Sequence, residues 1–306
     1  MTKATKKKIP ITAYVMTLNE ENNLEACLKS VVERVDQIIV VDSFSSDSTL
    51  AIARKYSDQV IEHEFVNHAK QYLWGMDNCE FRNDWILRLD ADERWTEGGL
   101  DELERIISED HYDGITVRMK IFFMGRFLNH GGMYPNKFLR VYRKSKGQME
   151  DRWMDEHIQV DGPIIDTKID VTESNYDRQE NLVRWIEKHN GYSTREALEN
   201  LMARHDMRQL DSIADLSGGS TERKRWMKEN VYFRSPLLIR PFLYFTYRYV
   251  VKGGFVDGKE GFIFHVLHAF WYRFLVDAKI IQIERNSAAN SSTIRETIKK
   301  HWGIDP

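Results

Sequence analysis

Hydrophobic and polar positions in the first 110 residues follow two alternating patterns, one typical of strands and the other of helices. Residues 11–16 and 37–42 are short apolar runs, and the second is rich in β-branched residues, which favours buried strands of a parallel sheet. Between these runs, apolar residues recur at the spacing of one helix face. They are Leu24, Cys27, Leu28, Val31 and Val32. The chain is therefore expected to begin with a strand, a helix and a second strand.

The same alternation continues to residue 90. Residues 47–56 and 68–79 have helical patterns, whereas residues 59–65 and 84–90 have extended ones. A regular succession of strands and helices is typical of a sheet whose strands are mostly parallel and whose two faces are covered by helices. The pattern therefore predicts an α/β fold for this part of the chain.

The pattern changes after residue 112. Short extended segments alternate with glycine-containing loops, at 114–123, 137–143 and 157–160. Such segments predict an extension of the sheet, with loops close to a functional site. After about residue 178 the pattern becomes helical. The expected organisation is a basic tail at 1–9, an α/β domain at 10–175 and a helical C-terminal region at 176–306.

Composition limits the classes of protein that fit. The chain has 306 residues, 42% hydrophobic and 12% aromatic, which is enough for a packed core. The two cysteines, Cys27 and Cys79, provide neither a disulfide framework nor a cysteine metal cluster, as in proteins of a reducing cytoplasm. No segment resembles a signal peptide or reaches the roughly 18 uninterrupted apolar residues of a membrane span. We expect a cytoplasmic protein that is soluble or bound to a membrane surface.

The formal net charge of −3 hides a basic segment at 223–252, which has eight basic residues and one acidic residue, a sum of 8 − 1 = +7. Aromatic residues lie between the basic ones, a combination suited to the headgroup region of an anionic membrane. An ordinary helical region with a basic face explains the segment as well. The chain has no recognised nucleic-acid-binding motif, so nucleic acid is not an expected partner.

Polar residues follow three of the predicted strands. Asn19, Asp42 and Asp90 each lie at or just after a strand end, where ligands bind in parallel sheets. Asp92 is two residues beyond Asp90, so both carboxylates could point the same way. Two like charges that close are costly unless a cation lies between them, and Mg²⁺ or Mn²⁺ carrying phosphate oxygens fits that role. The alternative is a solvated acidic turn.

The first two strand ends carry further polar side chains. These are Thr17, Asn19 and Glu20 after the first strand, and Asp42, Ser43 and Ser45 after the second. Helix capping explains part of both groups. The functional alternative is a nucleotide pocket, in which a carboxylate accepts a hydrogen bond from a base or a ribose. Neither the dinucleotide nor the P-loop glycine motif is present, which disfavours an NAD site and a P-loop NTPase.

Four short segments together are more specific than any one of these residues. They are TLNEE at 17–21, CLKSV at 27–31, VVDSFSSDST at 40–49 and LDADE at 89–93. In order and spacing they resemble family 2 glycosyltransferases, and most of all the lipopolysaccharide core glucosyltransferases. The resemblance continues through HGGMYP at 130–135, LRVYR at 139–143 and YVVKGGFVDG at 249–258. It therefore covers nearly the whole chain.

The resemblance implies a GT-A fold, an inverting transfer from a nucleotide sugar, and a divalent metal, Mg²⁺ or Mn²⁺. Carried over residue by residue, Asn19 and Glu20 border the nucleobase and Asp42 contacts the base or the ribose. Asp90 contacts the ribose or the sugar, and Asp92 binds the metal. Thr17, Ser43 and Ser45 belong to the same nucleotide-sugar pocket.

Two departures from the family pattern concern the donor. Phe44 and Ser46 stand where relatives usually have Gly and Thr, which leaves the base and the sugar open. Lys70 and Gln71 resemble a stretch in which relatives usually have the order Gln-Lys. Lys70 is therefore only a candidate for binding phosphate.

An inverting transferase needs a base that takes the proton of the acceptor hydroxyl. Glu156 matches the position of the base in relatives, and Asp155 and His157 are its rivals; an exposed polar turn is the plain alternative. Arg140 and Arg143 could bind a diphosphate, although a solvated strand face explains them equally well.

The sequence thus predicts an enzyme that moves a hexose, with glucose the expected one, from a UDP-sugar to a saccharide acceptor. The resemblance favours a lipid-linked acceptor in the synthesis of lipopolysaccharide core or another cell-surface glycan. One alternative is a nucleotidyltransferase on a similar sheet, although residues 17–22 lack the glycines of a phosphate-binding loop. The other is a non-catalytic, membrane-associated module of the same fold.

Overall fold

The computed structural model describes residues 7–150, 153, 156–205, 207, 226, 231–232 and 235–305. Asp155 lies outside the described part, and so do five of the eight basic residues of the segment 223–252, which are Arg223, Lys224, Arg225, Lys228 and Arg234. The chain divides into two compact units, Met1–Leu182 and Val183–Pro306. The division expected from the sequence, between residues 175 and 176, lies a short distance before this boundary.

The first unit is built on β-strands. Their bounds are β1 Ile9–Thr17, β2 Val35–Asp42, β3 Gln59–Glu62, β4 Trp85–Asp90, β5 Glu93–Arg94, β6 Gly114–Phe123, β7 Arg126–Phe127, β8 Asn136–Arg143, β9 Gly147–Met149, β10 Ile158–Val160 and β11 Ile164–Glu173. Nine of these described strands form one sheet in the order β3-β2-β1-β4-β8-β6-β11-β5, with β7 beside β6. β9 and β10 form a separate antiparallel pair.

The half of the sheet that comes first in the chain is parallel. β3, β2, β1 and β4 are successive parallel neighbours, whereas β8 is antiparallel to both β4 and β6. The pairing becomes parallel again between β6 and β11. The predicted α/β class with a mostly parallel first half and a mixed extension is therefore confirmed.

The helices of the first unit cover both faces of the sheet. They are α1 Leu24–Lys29, α2 Thr49–Tyr56, α3 His68–Asn78, α4 Glu97–Glu109 and α5 Tyr176–Glu180, and α6 Leu182–Arg204 then leads into the second unit. Alternation along β1 explains the two layers, because Val15 packs in the core with α1 and α4 while Tyr14 packs in the core with α3. The two cores thus contain apolar side chains from opposite faces of the same strands.

The second unit is helical in its described part. After α6 come α7 Arg240–Thr246, a π-helical continuation at Tyr247–Val251, a short 3₁₀ turn at Gly254–Asp257, α8 Gly258–Phe264, a second π-helical stretch at His265–Trp271, α9 Tyr272–Asn290 and α10 Ile294–Trp302. Among the described helices, none combines the length and the apolar character needed to cross a membrane. The expected helical C-terminal region is confirmed.

One member of the predicted basic face is not on the surface. Arg240 is 1% exposed, and its guanidinium group forms an ion pair of 2.5 Å with the buried carboxylate of Asp277. Arg240 therefore contributes no exposed charge to the basic segment 223–252. Burial removes both charges from water at a cost in free energy, and the close ion pair offsets that cost.

Candidate active site

The register of the sheet brings the polar strand ends together. Thr17 at the end of β1 pairs with Asp42 at the end of β2, and Met16 pairs with Asp90 at the end of β4. The carboxyl ends of three neighbouring parallel strands therefore meet at one edge of the sheet. This is the edge at which ligands bind in sheets of this kind.

Hydrogen bonds join the loop after β1 to the loop after β2. Asp42 is fully buried, and its carboxylate accepts hydrogen bonds from the hydroxyl groups of Thr17 at 2.7 Å and Ser45 at 2.6 Å. The Ser45 hydroxyl oxygen in turn accepts from the backbone N–H of Asn19 at 2.8 Å. Thr17, Asn19, Asp42 and Ser45 thus form one rigid group, and their contact with a nucleoside stays a prediction.

Two residues of these loops have left-handed backbone conformations, with φ of 54° at Asn19 and 57° at Phe44. A side chain raises the energy of this conformation, and such residues are concentrated at binding sites. Phe44 stands where relatives usually have glycine, which tolerates this φ freely. Its ring is exposed at the sheet edge, beside Ser43 and Ser45.

The remaining predicted residues of the nucleotide side have mixed surroundings. The Ser43 hydroxyl accepts a hydrogen bond of 3.1 Å from the buried side chain of Gln71 on α3. The Glu20 carboxylate accepts a hydrogen bond of 2.6 Å from the side chain of Asn23, the residue before α1, whose side chain makes no capping hydrogen bond to that helix. Lys70 is exposed on α3, and its ammonium group lies 5.7 Å from the centre of the Trp153 ring.

Asp90 lies at the centre of a chain of alternating charges. The guanidinium group of Arg140 on β8 lies 2.6 Å from one carboxylate oxygen of Asp90 and also forms an ion pair with the buried Glu93. Desolvation by itself would raise the pKa of Asp90, but Arg140 and Arg88 outweigh it and lower the pKa to about 2. Burial raises the pKa of Glu93 to about 8, although Arg140 acts against the shift.

Asp92 has the opposite electrostatic surroundings. Burial and the nearby charge of Glu173 raise its pKa to about 7, whereas Arg178 acts in the other direction. Its carboxylate accepts a hydrogen bond of 2.9 Å from the side chain of Asn175, which also caps α5. Negative charge around Asp92 is therefore only partly compensated by the protein.

These surroundings fit a divalent cation held partly by substrate. Carboxylate oxygens are the ligands that Mg²⁺ and Mn²⁺ prefer, and a surplus of negative charge at Asp92 favours a cation there. Within the part of the chain that the structure describes, no three His, Cys, Asp or Glu side chains are grouped closely enough to hold a metal. The protein would therefore supply few ligands, as in Mg²⁺ sites completed by phosphate and water.

Glu156 lies in the same corner, close to Asp90. It forms an ion pair with Arg88 on β4, where a guanidinium nitrogen lies 3.3 Å from a carboxylate oxygen, and only 11% of its side chain is exposed. Another nitrogen of Arg88 lies 3.7 Å from Asp90, so a single guanidinium group links the two carboxylates. His157, one of the rivals, instead lies 3.7 Å from Glu150. Asp155, the other rival, lies outside the described residues.

The sequence suggested Arg140 and Arg143 equally as residues that could bind a diphosphate, and the structure places them in different surroundings. Arg140 reaches the carboxylate corner, whereas Arg143 lies at the far end of β8 and pairs with Asp84, Asp110 and Asp113. Arg143 pairs with Trp85 at the first residue of β4, and because β8 runs antiparallel to β4, Arg140 lies further toward the carboxyl end of β4, where Asp90 is.

Arg88 and Asn175 were missed. The signal for Arg88 was present, because residues two apart on a strand share a face and Arg88 precedes Asp90 by two. No local signal identified Asn175, which is 83 residues from Asp92 in sequence and reaches it only because β11 returns beside β5.

Known proteins that are similar to this chain include two relatives in sequence and one solved structure. A protein of Rickettsia bellii described as an uncharacterized glycosyltransferase is 25% identical over 292 residues, which are 93% of this chain and 91% of the relative. The lipopolysaccharide core biosynthesis glycosyltransferase LpsC of Rhizobium meliloti is 28% identical over 283 residues, 90% of this chain and 93% of LpsC. The crystal structure of S. aureus TarS 1–349 in complex with UDP-GlcNAc aligns over 92% of both chains with a TM-score of 0.40 and 15% identity.

A family match covers the first unit. The sequence profile of glycosyl transferase family 2 matches residues 12–162, which include the three polar strand ends and Glu156. The match agrees with the resemblance seen in the sequence motifs, and it sets aside the nucleotidyltransferase alternative. Through residues 12–162, the chain belongs to glycosyl transferase family 2.

Proposed function

We propose that this glycosyltransferase moves a hexose from a UDP-sugar to a saccharide acceptor with inversion at the anomeric carbon, and that it depends on Mg²⁺ or Mn²⁺. Glucose is the first hexose to test, because the sequence motifs most resemble those of lipopolysaccharide core glucosyltransferases. The observation that carries the proposal is the grouping of Asp90, Asp92 and Glu156 at one sheet edge, although Glu156 is distant in sequence from the two aspartates.

Asp92 is the proposed metal ligand. When bound, a divalent cation would offset the charge that develops on the departing diphosphate. Burial and the nearby charge of Glu173 raise the pKa of the Asp92 carboxyl group to about 7, and Arg178 compensates only part of this negative charge, which supports the role. Asp90 is better neutralised by Arg140 and Arg88, so we assign it to the ribose or sugar of the donor.

Glu156 is the proposed general base. Its carboxylate would take the proton from the acceptor hydroxyl while the oxygen attacks the anomeric carbon and the bond to the diphosphate breaks. The ion pair with Arg88 fixes the carboxylate 3.3 Å from a guanidinium group that also lies near Asp90. The proton of the acceptor hydroxyl, at Glu156, and the sugar of the donor, at Asp90, would therefore lie close to each other.

We place the acceptor among lipid-linked saccharides, in the synthesis of lipopolysaccharide core or another cell-surface glycan. The similarity to LpsC over 90% of the chain supports this choice. A cytoplasmic location belongs to the same proposal, and both cysteines are free and buried, as a reducing compartment requires.

Two variants separate the proposed roles. Asp92→Asn should abolish metal-dependent binding of the UDP-sugar, because it removes the carboxylate charge that the cation needs. Glu156→Gln should bind the donor as the wild type does but lose at least roughly a hundredfold in transfer rate, the usual contribution of general acid–base catalysis. Donor binding is measured by calorimetry with Mn²⁺ and with EDTA, and transfer by release of UDP.

The matched controls are Asp77→Asn and Glu64→Gln, which remove carboxylates of the same two types from exposed positions on and before α3. Both controls should retain binding and transfer. Normal turnover by Glu156→Gln would show that another group is the base. The metal assignment would be contradicted if the UDP-sugar bound equally well without metal and Asp92→Asn left that binding unchanged. A wild type that binds no nucleotide sugar would favour the non-catalytic alternative.

A further inference from the structure

Exposed apolar side chains are concentrated in one part of the second unit. Of the large hydrophobic residues that are exposed in the described part of the chain, more than half lie within residues 238–274. They are Leu238, Ile239, Phe242, Leu243, Tyr247, Val250, Val251, Phe255, Val256, Phe262 and Phe274. Single exposed apolar residues are ordinary, but a contiguous group of this size marks an interaction surface.

The helical segment 240–251 carries this surface as a regular stripe. The outward residues are Ile239, Phe242, Leu243, Tyr247, Val250 and Val251, and we call them the apolar stripe. Their spacing of three or four residues is that of one face of a helix. The only other exposed residue between Ile239 and Val251 is Thr246, so the outward face of this segment has no charge.

The two charged residues of the same segment, Arg240 and Arg248, lie off the stripe, on the side that also carries the stacked rings of Phe245 and Tyr249. Arg240 is buried and pairs with Asp277, and it donates a hydrogen bond of 3.3 Å to the buried side chain of Asn200. Arg248 donates a hydrogen bond of 2.6 Å to the hydroxyl group of Tyr244. A helix at the surface of a water-soluble protein usually has its charged residues on the outward face, whereas the exposed residues of this segment are apolar apart from Thr246. The outer side of this segment is therefore suited to contact with an apolar environment.

The charged residues next to the apolar stripe indicate what kind of partner the stripe contacts. Lys252 is exposed directly after Val251, and 87% of the Lys259 side chain is exposed a few residues later, where its ammonium group lies 3.7 Å from Glu260. The acidic residues between 238 and 274 are Asp257, which is 1% exposed, and Glu260, whose side chain is 20% exposed. The exposed charge beside the apolar stripe is therefore positive.

We propose that the apolar stripe docks onto the surface of an anionic lipid bilayer, with Lys252 and Lys259 at the headgroups. Apolar side chains at the acyl boundary and lysines at the phosphates are the two attractions that hold interfacial helices on membranes. The segment has 12 residues and a length of about 18 Å, so it lies in one leaflet and does not span the roughly 30 Å hydrocarbon core. A second copy would bring a surface of the same positive charge, which disfavours self-association through this face.

The test is co-sedimentation of the full-length protein with vesicles. The wild type should bind vesicles of phosphatidylcholine mixed with phosphatidylglycerol and bind pure phosphatidylcholine more weakly. Phe242→Ser combined with Leu243→Ser should lower the partition coefficient at least about tenfold, because two large apolar side chains no longer enter the bilayer. Lys252→Gln combined with Lys259→Gln should lower binding about fivefold per lysine, and only to the anionic vesicles.

The matched control is Val66→Ser combined with Ile164→Ser, which removes two exposed apolar side chains of the first unit and should leave binding unchanged. Circular dichroism checks the folding of each variant, and the lysine pair provides a test that does not alter apolar packing. Absence of vesicle binding by the wild type, or equal binding by all variants, would overturn the proposal. A wild-type dimer that Phe242→Ser with Leu243→Ser converts to a monomer would show that a second copy occupies the surface. Calorimetry with a UDP-sugar does not depend on these outcomes, so a failure here leaves the proposed function intact.

Discussion

Replacing Glu93 by Gln should change how the stability of the protein depends on pH. Glu93 is 1% exposed, and burial raises the pKa of its carboxyl group to about 8 even though Arg140 pairs with it. Near pH 5 the side chain is therefore protonated in the folded protein and is close in shape and charge to glutamine. At that pH we expect Glu93→Gln to differ from the wild type by no more than about 1 kcal/mol.

The expected difference grows with pH, and its sign follows from proton binding. Between the ordinary pKa of glutamate, near 4.3, and about 8, the folded wild type holds a proton at Glu93 that the unfolded chain has lost. Its free energy of unfolding therefore falls by up to about 1.4 kcal/mol per pH unit through this window. Glutamine does not titrate, so the variant lacks this loss. From pH 5 to pH 8, Glu93→Gln should gain up to about 4 kcal/mol relative to the wild type.

The assay is urea unfolding of both proteins at several pH values, at constant ionic strength and with EDTA to exclude metal. Glu64→Gln, which removes an exposed glutamate before α3, is the control for loss of one acidic group. A difference between Glu93→Gln and the wild type that stays constant from pH 5 to pH 8 would refute the reasoning. A difference that moves toward greater wild-type stability as pH rises would refute its sign.

Three further predictions concern buried contacts, and each is checked by denaturant or thermal unfolding. Arg240→Met should destabilise the protein by about 3–5 kcal/mol because it leaves the buried charge of Asp277 without a cation, and adding Asp277→Leu should restore most of that loss. No recovery in the double variant would contradict this. Gly75→Ala should lower the free energy of unfolding by about 1–3 kcal/mol because the new methyl group meets the Tyr14 hydroxyl, and adding Tyr14→Phe should relieve part of this loss. A Gly75→Ala variant as stable as the wild type would contradict this. Arg34→Met should cost about 1–3 kcal/mol, since the buried guanidinium group bonds three carboxylates of α4. A loss below about 0.5 kcal/mol, the size of an ordinary surface substitution, would contradict that role.

The fold was largely predictable because its signals are local. Apolar runs of four to eight residues with helical spacing between them gave β1 to β4 and α1 to α3 close to their observed bounds. The strand at Gly114–Phe123 was predicted with the same bounds. The order of the strands beyond β4 was not predictable in the same way, because the pairing of β11 with β6 and β5 joins residues distant in sequence.

The candidate site was predictable only in part, for a related reason. A carboxylate at a strand end is visible in the sequence, so Asp42, Asp90 and Asp92 could be singled out. The cation that neutralises a carboxylate is visible only once neighbouring strands are known, as for Arg140 on β8. Burial also changes roles, since Asp42 has its oxygens engaged by Thr17 and Ser45, which the sequence did not indicate.

The measurement that tests the central claim most directly is the release of UDP from a panel of UDP-hexoses, with a saccharide acceptor, by the wild type in Mn²⁺ and in EDTA. The grouping of Asp90, Asp92 and Glu156 at one sheet edge predicts acceptor-dependent release from at least one UDP-hexose, in Mn²⁺ only. Equal release in EDTA would contradict the metal site at Asp92. Neither turnover nor binding of any UDP-sugar in Mn²⁺ would contradict the assignment of this edge as the active site.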